Sequence, residues 1–403
     1  MWIENIFFIL ITISCISETP KESEEEETGP QFDNPLFYFA ENGITIMCPE
    51  AEFGDQGTFN GVTYIKRDRD DLQNRVLERK YTDVERTCVS GITDMENMVS
   101  CADSFNGDLS SWDVSNVTNM KRMFSRSDSF TGETLNFWDV SNVTNMNNMF
   151  SGSYSFTGEA LSSWNVSNVT DMRAMFSGAE SFNGDISNWD VSNVTTMEFM
   201  FDYATSFNGG LNSWDVSNVT NMRGMFSGTA SFNGDISSWN VSSVTNMGRM
   251  FSYAHSFNQD LSSWDVSNVI KMGGMFTHAE SFNGDISSWD VSNVTNMNWM
   301  FEYASSFNSN ISDWDVSNVK NMSNMFENAS SFNGDLGSWE VSKVTDMRSM
   351  FRGASSFNAD ISDWDVSSVV NYWGIDPQEE IPVEEYIYTM ESMCEDATSF
   401  NQD

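Results

Sequence analysis

From Val89 onward the chain repeats itself. The stretch from Ser281 to Ser305, SFNGDISSWDVSNVTNMNWMFEYAS, recurs with light edits, and full copies begin at Ser104, Ser129, Ser155, Ser181, Ser206, Ser231, Ser256, Ser281, Ser306, Ser331 and Ser356. Trp112, Trp138, Trp164, Trp189, Trp214, Trp239, Trp264, Trp289, Trp314, Trp339 and Trp364 mark the register, spaced 26, 26 and then 25 residues apart. A period of this length predicts a solenoid. Numbering Ser281 as position 1, apolar residues fall at Phe282, Ile286, Trp289, Val291, Val294, Met297, Met300, Phe301 and Ala304. The alternation of Ile-x-x-Trp-x-Val predicts a short strand, and Met297, Met300, Phe301 and Ala304, at i, i+3, i+4 and i+7, predict one or two helical turns. Burying these side chains does not offset the entropy of ordering a whole coil, so a coil is stable only between neighbours. The expected body is an elongated stack of about twelve coils, about 55 Å long at the spacing of parallel strands.

The flanks read differently. Residues 1–17 carry an apolar run from Ile6 to Ile13 followed by small residues, the pattern of a cleaved secretory signal peptide, and the run is too short to span a bilayer. Residues 18–30, ETPKESEEEETGP, have no apolar period and predict an acidic disordered tether. Residues 31–88 do not match the repeat. They offer β-prone runs at Ile44–Cys48 and Val62–Ile65, turn-formers at Asn60-Gly61 and a helical stretch over Leu72–Leu77. A stack of coils exposes an open edge at its end, and this segment is expected to cap it. The solenoid is then residues 89–403, with an acidic insertion at 373–388 after which Met390, Met393, Cys394 and Ala397 resume the apolar face.

Removing the signal peptide takes Cys15 with it and leaves Cys48, Cys88, Cys101 and Cys394, which allow three pairings. Cys48 lies in the expected cap and Cys88 where the first coil begins, so a Cys48–Cys88 staple is favoured over free buried thiols.

Within a coil, threonine at position 15 (Thr144, Thr170, Thr295) is placed to cap the following helical amides. Glycine at position 23 (Gly178, Gly353) suits a helix exit. Asparagine at position 13 (Asn116, Asn142, Asn293) is expected to make a ladder of backbone hydrogen bonds, although the same residues form Asn-Val-Thr glycosylation sequons. Position 10 supplies a column of carboxylates: Asp113, Asp139, Asp190, Asp215, Asp265, Asp290, Asp315 and Asp365, with Asn165 and Asn240 interrupting it. Stacked charges repel by roughly 1 kcal/mol in water and about 3.5 kcal/mol at an effective dielectric of 20. Two readings relieve the column: hydrogen bonds from the following serine and backbone, or Ca²⁺ or Mg²⁺ held between adjacent carboxylates.

The strand Ile-x-x-Trp-x-Val followed by Val-x-x-Met-x-x-Met-Phe-x-x-Ala-x-x-Phe resembles the BspA-type leucine-rich-repeat surface proteins. It is most similar to the Trp-Asp-Val-Ser-x-Val-Thr-x-Met variant of mycoplasma-type surface lipoproteins. The resemblance covers residues 89–403, and ENGITIMCPE and GVTYIKRDRD resemble the leader of such proteins. It implies an α/β repeat, a right-handed leucine-rich-repeat-like solenoid of about twelve 25-residue coils with a small N-terminal cap, and a secreted or cell-surface role in adhesion.

Composition narrows the function. With 59 acidic against 19 basic residues and a formal charge of −40, the surface repels nucleic acid and anionic lipid. Two histidines, His255 and His278, sit in loops, and carboxylates recur once per coil, whereas an active site needs a unique constellation. The expected function is therefore non-catalytic recognition or adhesion toward an extracellular protein or glycan, with no cofactor unless the carboxylate column takes a cation. The alternatives are a regular-surface binder of ice or mineral, or a glycan-active β-helix enzyme. Core positions are constant between coils, but positions 18, 19, 22 and 23 vary. They place Phe199 with Tyr203, Tyr253, and Trp299 with Tyr303 on one expected helical ridge, residue types that anchor interfaces.

Overall fold

A computed structural model describes residues 31–370. The signal peptide, the tether, the 373–388 insertion and the resumed apolar face at Met390–Ala397 lie outside them.

Residues 31–88 hold almost all of the regular secondary structure. Strands β1 (Tyr38–Phe39) and β2 (Ile46–Met47) pair antiparallel. Strands β3 (Gln56–Phe59) and β4 (Val62–Lys66) form a hairpin through Asn60-Gly61, both left-handed as a tight two-residue turn requires. Helix α1 (Arg69–Leu77) starts at Asp68, whose carboxylate accepts the Asp71 amide, and helix α2 (Tyr81–Glu85) follows. Strand β5 (Thr87–Cys88) then pairs parallel to β4. A small core of Phe32, Phe37, Ile46, Cys48, Ala51 and Cys88 fills this segment, with Cys48 and Cys88 joined in a disulfide.

The cap meets the stack by imitating a coil. In every full coil after the first, the Trp indole N–H donates to the carbonyl of the Leu or Ile that opens the Ile-x-x-Trp-x-Val segment of the coil before it, as from Trp239 to Leu211 at 2.9 Å. The first tryptophan of the coils, Trp112, finds that acceptor at Val84 in α2. Where a preceding coil would supply amides, the Arg69 guanidinium donates to the carbonyls of Asp94 and Glu96. Leu72, Val76 and Val84 complete the end of the main core.

The coils are built otherwise than the periodicity predicts. No residue in the described Ile-x-x-Trp-x-Val segments belongs to a strand, and no α-helix occurs in the coils among the described residues. The strand fails because position 10, and where it carries aspartate position 5, binds the amide two residues on, as Asp285 does Ser287 and Asp290 does Ser292. Each such turn bends the chain away from an extended path. The helix fails because positions 19 and 23 are left-handed, for example Trp299 at φ 56° and Tyr303 at φ 54°. Backbone amides there alternate in direction. Met297, Trp299, Phe301 and Tyr303 donate to the next coil, to Asn321, Ser323, Met325 and Glu327, while Met300 and Glu302 close local turns on Met297 and Trp299. The coils therefore pair in parallel along positions 15 to 23, around single bridges from Asp94↔Asn119 to Asn321↔Asp346. The extra residue of the coils from Ser129 and Ser155 is taken up in short 3₁₀ turns at Leu135–Phe137 and Glu159–Ser163.

Side-chain columns carry the stacking. Trp214, Trp239, Trp264, Trp289 and Trp314 lie parallel with centroids 6.2–6.5 Å apart. Phe301 packs on Phe307 at 3.8 Å and on Phe276 and Phe326 in the coils either side. The threonine at position 15 does not cap a helix. Its amide and hydroxyl both donate to the carbonyl at position 15 of the preceding coil, as from Thr220 to Thr195 at 3.0 and 3.3 Å. The asparagine at position 13 does form a ladder: the Asn218 side-chain amide donates to the Ser192 carbonyl, and Asn293 to Ser267. A further ladder went unread in the sequence, at position 3, where an asparagine side-chain oxygen accepts the backbone amide of its counterpart one coil on, as Asn283 does for Asn308.

Candidate functional site

Positions 19 and 23 vary between coils, and both adopt a positive φ. Glycine meets that requirement at no steric cost. It occupies position 23 at Gly152, Gly178, Gly228 and Gly353, and position 19 at Gly224 and Gly274. Elsewhere the same backbone carries Arg122, Asn148, Ala174, Arg249, Asn324 and Ser349 at position 19, Arg126 and Asn328 at position 23, and the aromatic rings of Phe199, Tyr203, Tyr253, His278, Trp299 and Tyr303, the last six with φ between 54° and 58°. A left-handed conformation costs a side-chain-bearing L-residue roughly 1–2 kcal/mol. These aromatics sit on the ladder face of the coils rather than on a helical ridge. Tyr203 is 53% exposed, and Tyr253, Trp299 and Tyr303 are 39–40% exposed.

The individual rings have distinct surroundings. Phe199 is half-buried, tucked over Gly224 with the Arg223 guanidinium 4.8 Å from its centroid, so it presents less surface than the sequence implies. Tyr203 lies against Gly228, where a Cβ would meet the ring at 2.8 Å. Tyr253, His278 and Tyr303 form a continuous stack, 4.4 and 4.3 Å between centroids and within 10° of parallel. His278 is thus part of the aromatic column and not a solvated loop residue. Its membership was readable from its position, 23, which it shares with the tyrosines. Burial lowers its pKa and favours the neutral imidazole. His255 meets the edge of Tyr253 and lies 3.7 Å from Glu280.

Carboxylates at position 22 run alongside. Burial and the neighbouring Glu327 raise Glu302 to about 7. Glu327 in turn lies 3.8 Å from Arg352. Burial also raises Asp202, opposed by the hydroxyls of Ser227 and Ser177. At position 18, Glu198 bridges Arg173 and Arg223 in the coils on either side, at 3.7 and 3.3 Å.

The position-10 column behaves as a row of turns. The carboxylates of Asp113, Asp139, Asp190, Asp215, Asp265, Asp290, Asp315 and Asp365 each accept the amide of the serine two residues on. Asn165, Asn240 and Glu340 do the same, so at the two asparagines the turn forms without a charge. The serine hydroxyl and amide hold Asp215, Asp265, Asp315 and Asp365 below the usual carboxylate range. Asp113 differs in being buried and in accepting the Ser90 hydroxyl at 2.7 Å. Among the described residues no three His, Cys, Asp or Glu side chains gather as a metal-binding group.

Four overlapping stretches, residues 72–159, 128–220, 209–311 and 283–375, match a family model described as Mycoplasma protein of unknown function, DUF285. No curated protein matches the chain. Among solved structures, a leucine-rich repeat protein from Bacteroides ovatus is similar at 11% identity and a TM-score of 0.40, over 83% of this chain and 88% of that one. The functional domain of InlJ from Listeria monocytogenes, which includes a cysteine ladder, is similar at 10% identity and a TM-score of 0.19, over 69% and 64% of the two chains.

Proposed function

The chain belongs to the DUF285 family, and on that premise we propose that it is a secreted or cell-surface recognition solenoid, non-catalytic, that binds an extracellular protein or glycan through its left-handed columns. One observation carries this reading: exposed aromatic rings occupy left-handed positions that in other coils take glycine, asparagine, arginine, alanine or serine. Left-handed strain at exposed Tyr203, Tyr253, Trp299 and Tyr303 is accounted for by contact with a partner, since Tyr and Trp supply large contact area at low entropic cost. The signal-like leader and the resemblance to BspA-type surface repeats support the location. The charge of −40 argues against nucleic acid, and no described helix is long and apolar enough to cross a membrane.

Two variants assign the binding face. Glycan-array and cell-binding measurements compare Trp299→Ala with Tyr303→Ala in one protein against Asp265→Asn, Asp290→Asn and Asp315→Asn in another. Loss with the first set alone assigns the aromatic columns. Loss with the second alone moves the site to the position-10 face, and retention by both rules out either face.

A further inference from the structure

The ladder along position 15 has an open end. From Thr118 to Val370, the amide at this position donates to its counterpart one coil earlier at 2.8–3.2 Å, and where the residue is threonine its hydroxyl reaches the same oxygen at 3.1–3.5 Å. Thr93 is the first rung. Its carbonyl serves Thr118, but its own amide and hydroxyl have no acceptor among the described residues. Thr93 is exposed and lines a cavity of about 380 Å³ between the cap and the first coil, together with Phe53, Lys66, Arg69, Gly91 and Ile92.

We propose that this cavity receives an extended peptide segment as an added rung, its carbonyl oxygen taken by the amide and hydroxyl of Thr93 and its preceding aliphatic side chain laid on Ile92. The occupant follows from the molecule's own template, because the same two donors hold a backbone carbonyl in the coils above. Ile92 is less covered than the valines of its column from Val117 to Val344, 8% exposed against 0–1%; Val369, at the other end of the described column, is also only partly covered. The cations beside the cavity offer no competing donors. Lys66 spends its ammonium on the carbonyls of Cys48, Pro49 and Ala51, and Arg69 is committed to Asp94 and Glu96. Arg69 also fixes the length of the rung, since it already fills the places that the next residues of a longer segment would take. This is strand addition restricted to a short stretch with the order aliphatic, then carbonyl donor. It stands independently of the aromatic columns.

The probe is acetyl-Ser-Asn-Val-Thr-amide, the sequence of positions 12 to 15. Amide exchange of Thr93 is followed in the full chain labelled with ¹⁵N-threonine, with the reversed-sequence peptide and sodium acetate as controls. Thr93 is expected to exchange faster than Thr144 and Thr195 in the free protein, and at least about tenfold more slowly when the peptide is saturating. Thr93→Val, which keeps the amide and loses the hydroxyl, should weaken the peptide about fivefold. Equal protection by acetate makes this a carboxylate site and overturns the added rung. Equal protection by the reversed peptide, or no protection by any probe, overturns it as well.

Discussion

The cap and the coils solve one problem in opposite ways. Backbone groups of a coil bond within its own turns or to the neighbouring coil, so one arrangement of Trp, Thr and Asn is copied along the stack. The cap has no neighbour of its own kind. The two are joined by contacts used once: Val84 accepts the Trp112 indole, Arg69 donates to two carbonyls, and Ser90 of the first coil accepts the Cys48 amide and donates to the buried Asp113, beside a disulfide between Cys48 and Cys88. Translation makes the coils tolerant of a missing regular element, whereas the cap depends on helices, strands and a covalent bond.

The largest expected effect is therefore in the coils. Trp239 is buried between Trp214 and Trp264 and donates to Leu211, so Trp239→Ala should cost about 3–5 kcal/mol. In a stack of nearest-neighbour contacts the loss should also split or broaden the thermal transition, and an unaltered melting profile would place Trp239 outside the core. Replacing Cys48 and Cys88 by serine frees a loop closed across 40 residues, with an expected loss of about 2–4 kcal/mol. Hydrogen exchange should show that loss in residues 31–88 first; equal deprotection of the coils from Ser206 to Ser331 would mean that the cap and the coils unfold as one unit. Arg69→Ala removes charge-assisted bonds to Asp94 and Glu96, and about 1–3 kcal/mol is expected, again at the first coil.

Smaller effects separate titration from packing. Glu302 has a folded pKa of about 7, above its unfolded value, through burial and Glu327. The folded state holds the proton more tightly, so this group's contribution is fully present below the unfolded pKa and is lost as pH rises to about 7. Glu302→Gln should raise the melting temperature at pH 8 and leave it unchanged at pH 4, and the reverse order would contradict the sign. Asp215, Asp265 and Asp315, held low by their serines, act oppositely and lose stability as pH falls through the folded pKa. Calcium ranks last. With each position-10 carboxylate already hydrogen-bonded, millimolar calcium should move the melting temperature by no more than about a degree at low ionic strength, and a shift of several degrees would assign a cation to the column.

The register of the coils was legible because Trp recurs with few exceptions at 25 residues. Their local conformation was not. A chain of four-residue turns returns apolar side chains at i, i+3 and i+4, so Met297, Met300, Phe301 and Ala304 show the period of a helix without forming one. The left-handed positions left one trace, the glycines at Gly224, Gly228 and Gly274, which mark what Phe199, Tyr203 and Trp299 must adopt. In the cap, Val62–Lys66 and Arg69–Leu77 followed their local propensities. The roles of Lys66 and Arg69 left no pattern, because each depends on carbonyls brought together only by the fold.

The central claim is that the aromatics of positions 19 and 23 serve a partner and not the fold. Tyr203→Gly with Trp299→Gly tests it most directly, by measuring the melting temperature and the binding of the same protein to the glycans or cells that the wild type binds. Glycine is the residue that the left-handed backbone accepts most readily. An unchanged or higher melting temperature is expected, together with at least about a tenfold loss of binding. A lower melting temperature with binding intact would contradict that claim.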